Sequence, residues 1–112
     1  MDIKAEHQEK VTIVVLSGEI DALSASKVAA FLDRQLRAGK NQLVADLSQL
    51  SFMSSAGLRA LLAALKETRH QKGDLRLAAA RDNVHEVLKM SGFTGLFQVF
   101  PTVEAAVTSF GD

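Results

Sequence analysis

Ser54, Ser55 and Gly57 stand together in Met53-Ser54-Ser55-Ala56-Gly57-Leu58, the stretch of this chain that offers most chemistry. The residues before it read as a buried strand and a short turn; those after it read as a helix. A helix start gathers unpaired backbone N–H groups and a partial positive charge. A serine placed there can carry a phosphate, because the groups that favour a bound anion also favour a covalent one. A serine there can equally be an N-cap, its hydroxyl oxygen accepting from the first turn, a bond that contributes about 1 kcal/mol. Either Ser54 or Ser55 suits that cap. Gly57 is a further signal. Glycine inside a first turn costs about 1 kcal/mol relative to alanine, which makes sense where something must approach the backbone closely.

Other polar groups carry weaker signals. Glu19 and Asp21 follow a strand and lie at its exit, where a turn or a helix cap is the structural role. Asp46 suits accepting backbone hydrogen bonds where its strand ends, and Ser48 suits capping the turn that follows. His7, His70 and His85 fall on three elements without metal-ligand spacing, a pattern of solvated histidines. Arg76, Arg81 and Lys89 are expected on exposed faces. Enzyme motifs are missing: the sequence has no G-x-x-x-x-G-K-[ST] or G-x-G-x-x-G loop, and the serine run is not a G-x-S-x-G elbow. A serine hydrolase would also need a His and an acid converging on the serine.

The elements that must position these residues are legible in the apolar periodicity. Ile3 to His7 reads as a weak strand and Val11 to Leu16 as a strong β-branched one, with Gly18 punctuating its end. Ser24 suits capping a helix with the stripe Val28, Phe31, Leu32, Gln35 and Leu36, and Gly39 sits where a C′ glycine belongs. Leu43 to Leu47 reads as a central strand covered on both faces. The helix from Ser54 or Ser55 presents Leu58, Leu61, Leu62 and Leu65, with Arg59 pointing away, and ends at Gly73. Leu75 to Ala79 is a further strand. Asn83 with Glu86 resembles a capping box for a helix that stops at Gly92. Phe97 to Phe100 is a last strand, and Pro101-Thr102 opens a final amphipathic helix.

The alternation predicts an α/β domain on a mixed, largely parallel sheet. The 112 residues suit a single domain, 1–112, long enough to bury a real core. Thirteen basic and thirteen acidic residues balance, against a general nucleic-acid binder, which needs a basic excess. The absence of cysteine excludes disulfides and thiolate chemistry and suits a reducing cytoplasm. Met1 to Glu6 lacks an apolar signal core, and no apolar run approaches the roughly 20 residues that span a bilayer, so no membrane partner is expected.

Three segments resemble the STAS family of bacterial anti-sigma factor antagonists: Asp46 to Leu58, with Ser54-Ser55-Ala56-Gly57-Leu58 at its core; Leu16-Ser17-Gly18-Glu19-Ile20-Asp21; and Met90-Ser91-Gly92-Phe93. Their order and spacing agree from about Val11 to the C-terminus. The resemblance implies a STAS fold with about four helices on one side of the sheet. It implies a regulator, not an enzyme, working in a partner switch. The unphosphorylated form would bind an anti-sigma factor that is also a serine kinase, freeing the sigma factor. Phosphorylation would end that binding, and a metal-dependent serine phosphatase would reset it. ATP and metal belong to those partners, so the chain itself needs no cofactor. In the family the phosphoacceptor is the serine two residues before the glycine, here Ser55. Many members carry Asp just before it; here Ser54 stands there and is a competing acceptor. The implied partner face comprises Glu19, Asp21, Ser54, Ser55, Gly57 and Arg59. The alternatives are a STAS module of a non-sigma regulatory or transport system, or a nucleotide- or anion-binding module.

Overall fold

The computed structural model describes residues 1–111. Strands β1 (Asp2–Gln8) and β2 (Val11–Ile20) form a hairpin, followed by α1 (Ala22–Arg37), β3 (Gln42–Met53), α2 (Ser55–His70), β4 (Asp74–Ala78), α3 (Asp82–Met90), a 3-10 turn (Phe93–Gly95), β5 (Val99–Phe100) and α4 (Val103–Thr108). The sheet order is β1-β2-β3-β4-β5. β1 is antiparallel to β2, and every later pair is parallel. Each parallel crossover carries a helix, so α1, α2 and α3 all start where a strand leaves the same edge of the sheet.

Alternation along the strands divides the core. Val14, Leu16, Leu43, Ala45, Leu47, Leu75 and Leu77 face α1, α2 and α3, where Val28, Leu32, Leu61, Leu65, Val84 and Leu88 complete the packing. Burying each such side chain contributes about 1.5–3 kcal/mol. Val11, Ile13, Val15, Val44 and Ala78 point the other way and meet Val103, Ala106 and Val107 of α4 and Phe110 just beyond it. The α/β class, the mixed sheet and the four helices follow the sequence reading. Their placement on one side does not: α4 covers the opposite face, because both faces of β2 and β3 are apolar and the face left by the first three helices needs a cover.

β2 and β3 run well past the expected ends at Leu16 and Leu47. Two register shifts, between Val15 and Ser17 and between Gly18 and Glu19, let the pair continue to Ile20 and Met53. Gly18 supplies φ +93° there, a conformation that side chains with a Cβ rarely adopt. Asp46 accepts from the Ser48 amide at 3.0 Å, beside the first shift and inside the strand. β5 is shorter than expected because Phe93 and Phe97 are taken into the core around the 3-10 turn.

Two caps differ from the sequence reading. α1 is capped by Asp21, and Ser24 is the reciprocal partner of that cap three residues on. α3 has no side-chain cap; Asn83 instead reaches back to β3. Arg76 also departs from expectation. It lies against the sheet, pairs with Asp74 at 2.9 Å, donates to Ser109 and sits 4.0 Å over the Phe110 ring. Asp74 is shared with Arg69 at 3.1 Å. Arg81 and Lys89 are exposed as expected.

Candidate functional site

The site is assembled at the sheet edge where β2 and β3 end. The Ser54 amide donates to the Ile20 carbonyl at 2.8 Å, extending the β2–β3 ladder by one bond into the turn before α2. The Glu19–Asp21 segment is thereby fixed beside the serines. Asp21 closes the β2 side: its carboxylate accepts from the Ser24 amide at 2.9 Å while its own amide donates to the Ser24 hydroxyl at 2.9 Å. These bonds from the Ser24 backbone and side chain hold the Asp21 carboxyl below its ordinary pKa. The Ser24 hydroxyl also lies 3.1 Å from the Glu19 carbonyl, which ties the loop to the buried start of α1.

The two serines have different work. Ser54 is the N-cap of α2, accepting from the Gly57 amide at 3.2 Å, and it is half-buried. Ser55 is the first helical residue and is exposed. With the Ser54 amide bonded to Ile20 and the Gly57 amide to Ser54, the amides of Ser55 and Ala56 remain as the free donors expected of a helix start. Among the described residues the Ser55 hydroxyl has no hydrogen-bond partner, and it lies beside a positive helix end.

Gly57 is a correction. It was expected on the partner face, and it is buried. A Cβ there would come within 2.7 Å of Ile20 Cγ2 and 2.9 Å of Met53 Sδ. The close approach belongs to the protein's own interior: Gly57 lets the first turn of α2 sit down on the ends of β2 and β3. Glu19, Asp21 and Arg59 are exposed. Sequence reading missed two apolar neighbours of this edge. Phe52, opposite Glu19 in the ladder, is 47% exposed, and Leu23, in the first turn of α1, is 85% exposed. Their signal was an apolar side chain beside a cap, off the buried stripe.

The model of the STAS domain matches residues 2–106. The chain belongs to the STAS family. This STAS domain is 34% identical over 110 residues to BtrV of Bordetella bronchiseptica, named as a candidate anti-sigma factor antagonist, covering 98% of this chain and 95% of that protein. It is 31% identical over 110 residues to the anti-sigma F factor antagonist of Paenibacillus polymyxa, covering 97% and 92%. Among solved structures, an anti-sigma factor antagonist from Mycobacterium paratuberculosis superposes on the STAS domain with a TM-score of 0.90 at 26% identity, covering 99% and 94%.

Elsewhere in the STAS domain, a cleft of about 600 Å³ lies between α3 and β5, lined by His85, Lys89, Thr94 and Phe100 among others, and none of its lining comes from the serine edge. Among the described residues, no three His, Cys, Asp or Glu side chains are placed to hold a metal ion. His7 sits 3.1 Å from the Thr12 hydroxyl, and His70 and His85 are exposed. No helix among the described residues is long and apolar enough to cross a membrane.

Proposed function

We propose that this chain is an anti-sigma factor antagonist whose grip on an anti-sigma factor kinase is switched by a phosphate on Ser55. The observation that carries this reading is the division of labour between the serines: Ser54 is committed as a cap, whereas Ser55 is exposed at the same helix start with no bond to lose. The names of the relatives support the client class. The unphosphorylated edge binds the kinase and so releases the sigma factor. The kinase transfers the γ-phosphoryl group of ATP to the Ser55 oxygen; ADP leaves and the hydroxyl proton is lost to solvent or a base on the kinase. A metal-dependent serine phosphatase hydrolyses the ester and restores the hydroxyl. The chain is a substrate and ligand in this cycle, not a catalyst.

The physics favours a switch without refolding. A phosphoserine adds about −1.5 to −2 charge. At the start of α2 the helix dipole offsets part of that, by roughly 0.3–2 kcal/mol. Against a partner surface, two like charges about 4 Å apart at an effective dielectric of 20 repel by about 4 kcal/mol, close to a thousandfold in affinity. The same group is thus tolerated by the fold and rejected by the interface. The proposed face comprises Ser55, Glu19, Asp21 and Arg59, all exposed on neighbouring turns. The setting is the bacterial cytoplasm, where ATP and such kinases reside.

The test is capture from the source cell with wild type, Ser55→Ala and Ser55→Asp, followed by identification of the retained protein. Wild type and Ser55→Ala should hold an anti-sigma kinase, and Ser55→Asp should lose it. Incubation with that kinase and ATP should place the phosphate on the Ser55 peptide. Equal retention by all three proteins, or phosphate on Ser54 alone, would sink the reading.

A further inference from the structure

β3 is long and its neighbour is short. β4 pairs with β3 only from Gln42 to Asp46, whereas β2 follows β3 to Met53. The last seven residues of β3, which lead directly into Ser54 and Ser55, therefore have a ladder on one side and no strand on the other. Bare carbonyls there would leave the end of β3 free to shift. They are not all bare. Arg81 Nε donates to the Ser48 carbonyl at 2.9 Å, and Asn83 Nδ2 donates to the Ser51 carbonyl at 2.8 Å. Ser51 is held from the other side as well, its hydroxyl lying 3.1 Å from the Gly18 carbonyl of β2.

Both donors come from the start of α3, Arg81 at the N-cap position and Asn83 two residues on. Neither side chain serves its own helix: Arg81 at the N-cap position has no side-chain acceptor for the first-turn amides, and α3 has no side-chain cap. The donors point across to β3 over 33 and 32 residues of chain.

We infer that Arg81 and Asn83 are positioning residues for the serine edge, replacing with two side chains the strand that β4 does not supply. They hold residues 48–53 in line so that Ser55 is presented at a fixed place beside the β2 exit. Their consequence for docking rests on the function proposed above; their action on the backbone does not.

Asn83→Asp separates this role from a mere contribution to α3. The carboxylate is nearly isosteric but cannot donate to the Ser51 carbonyl, while a negative charge in the first turn favours the helix itself. Amide hydrogen exchange of the free protein, read on peptides spanning 48–55, is the primary measurement. A lost hydrogen bond of ordinary strength corresponds to about tenfold faster exchange. Asn83→Asp and Asn83→Ala should both show it there, with exchange across α1 and the centre of β2 unchanged. Arg81→Ala should show it too, and Arg81→Lys, which keeps a donor, should restore it in part. Wild-type exchange in Asn83→Asp, or faster exchange confined to α3, would overturn the inference. Affinity for the purified kinase identified by capture is the second measurement, and Asn83→Asp should weaken it about tenfold. Faster exchange with unchanged affinity would overturn the link to docking. If wild type captures no kinase, the proposed function fails, and the exchange data still decide whether Asn83 and Arg81 hold the edge.

Discussion

The Ser54 amide hydrogen-bonds the Ile20 carbonyl at 2.8 Å, so the exit of β2 and the start of α2 form one rigid corner. Glu19 and Asp21 lie on one side of it and Ser55 on the other. A group added to Ser55 is therefore read against a fixed background, and changes in the corner itself should be felt in stability before they are felt in chemistry.

The two serines should separate cleanly. Ser54→Ala removes the acceptor for the Gly57 amide and should cost about 1 kcal/mol in urea unfolding. Ser55→Ala removes no bond and should stay within about 0.5 kcal/mol of wild type. Equal losses for the two variants would show that Ser55 has a structural partner.

Gly57→Ala sets two effects against each other. Alanine improves helix propensity by about 1 kcal/mol, but its methyl group would meet Ile20 and Met53 at 2.7 and 2.9 Å. Overpacking of this kind costs about 1–3 kcal/mol. Met53 can swing aside; Ile20, branched next to its backbone, cannot do so cheaply. The net expectation is a loss of about 1 kcal/mol, read as a lower urea midpoint at unchanged slope. A gain would mean that both neighbours yield.

How much of this corner the sequence disclosed depends on the range of the forces involved. Gly57 was legible as a place of close approach, because a glycine in a first turn is locally unfavourable. What approaches it was not, because Ile20 lies 37 positions earlier. Asp21 and Ser24 form a local box, yet either residue type can cap, and the choice follows from where β2 ends. That end was misplaced because the register shifts near Ser17 and Gly18 break the alternation that marks a strand. Asn83 and Glu86 have the spacing of a capping box, but the N-cap position of α3 falls two residues earlier, on Arg81, so Asn83 lies inside the first turn and its side-chain NH2 donates to β3 instead. An amphipathic helix such as α4 does not say which face of a sheet it will cover. The pattern of α/β elements and the family resemblance carried by the serine motif, both local in the sequence, agree with the fold and with the family match.

The Asp21 cap should leave a mark in the pH dependence of stability. Its carboxyl is held below the ordinary value, chiefly by the Ser24 backbone hydrogen bond and then by the Ser24 side chain. A lowered folded pKa means that the stabilisation is complete above the unfolded value, about 3.9, and is lost as pH falls through the folded one. Thermal melts of wild type and Asp21→Ala should thus differ most above about pH 5 and converge in stronger acid. A constant gap at all pH values would show that the charge of Asp21 does not matter.

Asp74 should be the costliest surface-edge acid to remove. It joins Arg69 of α2 to Arg76 of β4, and both Asp74 and Arg76 are nearly covered. Asp74→Ala would leave Arg76 under α4 without its counter-charge, at a cost of about 3 kcal/mol. Arg69→Ala, whose side chain is half-exposed, should cost about 1 kcal/mol or less. Chemical denaturation of the two variants decides between a cooperative triad and one dominant pair.

The antiparallel pairing of β1 has a practical outcome. Asp2 lies opposite Ser17, and Met1 packs within 3.6 Å of the position a Gly18 side chain would take, so anything fused ahead of Met1 emerges at the end of the sheet where β2 exits. Gly111 borders Gln8, Glu9 and Val11 at the far end of the sheet. An affinity handle or fluorophore attached at the C-terminal end leaves the serine edge open, whereas the same label at the front would stand in the doorway.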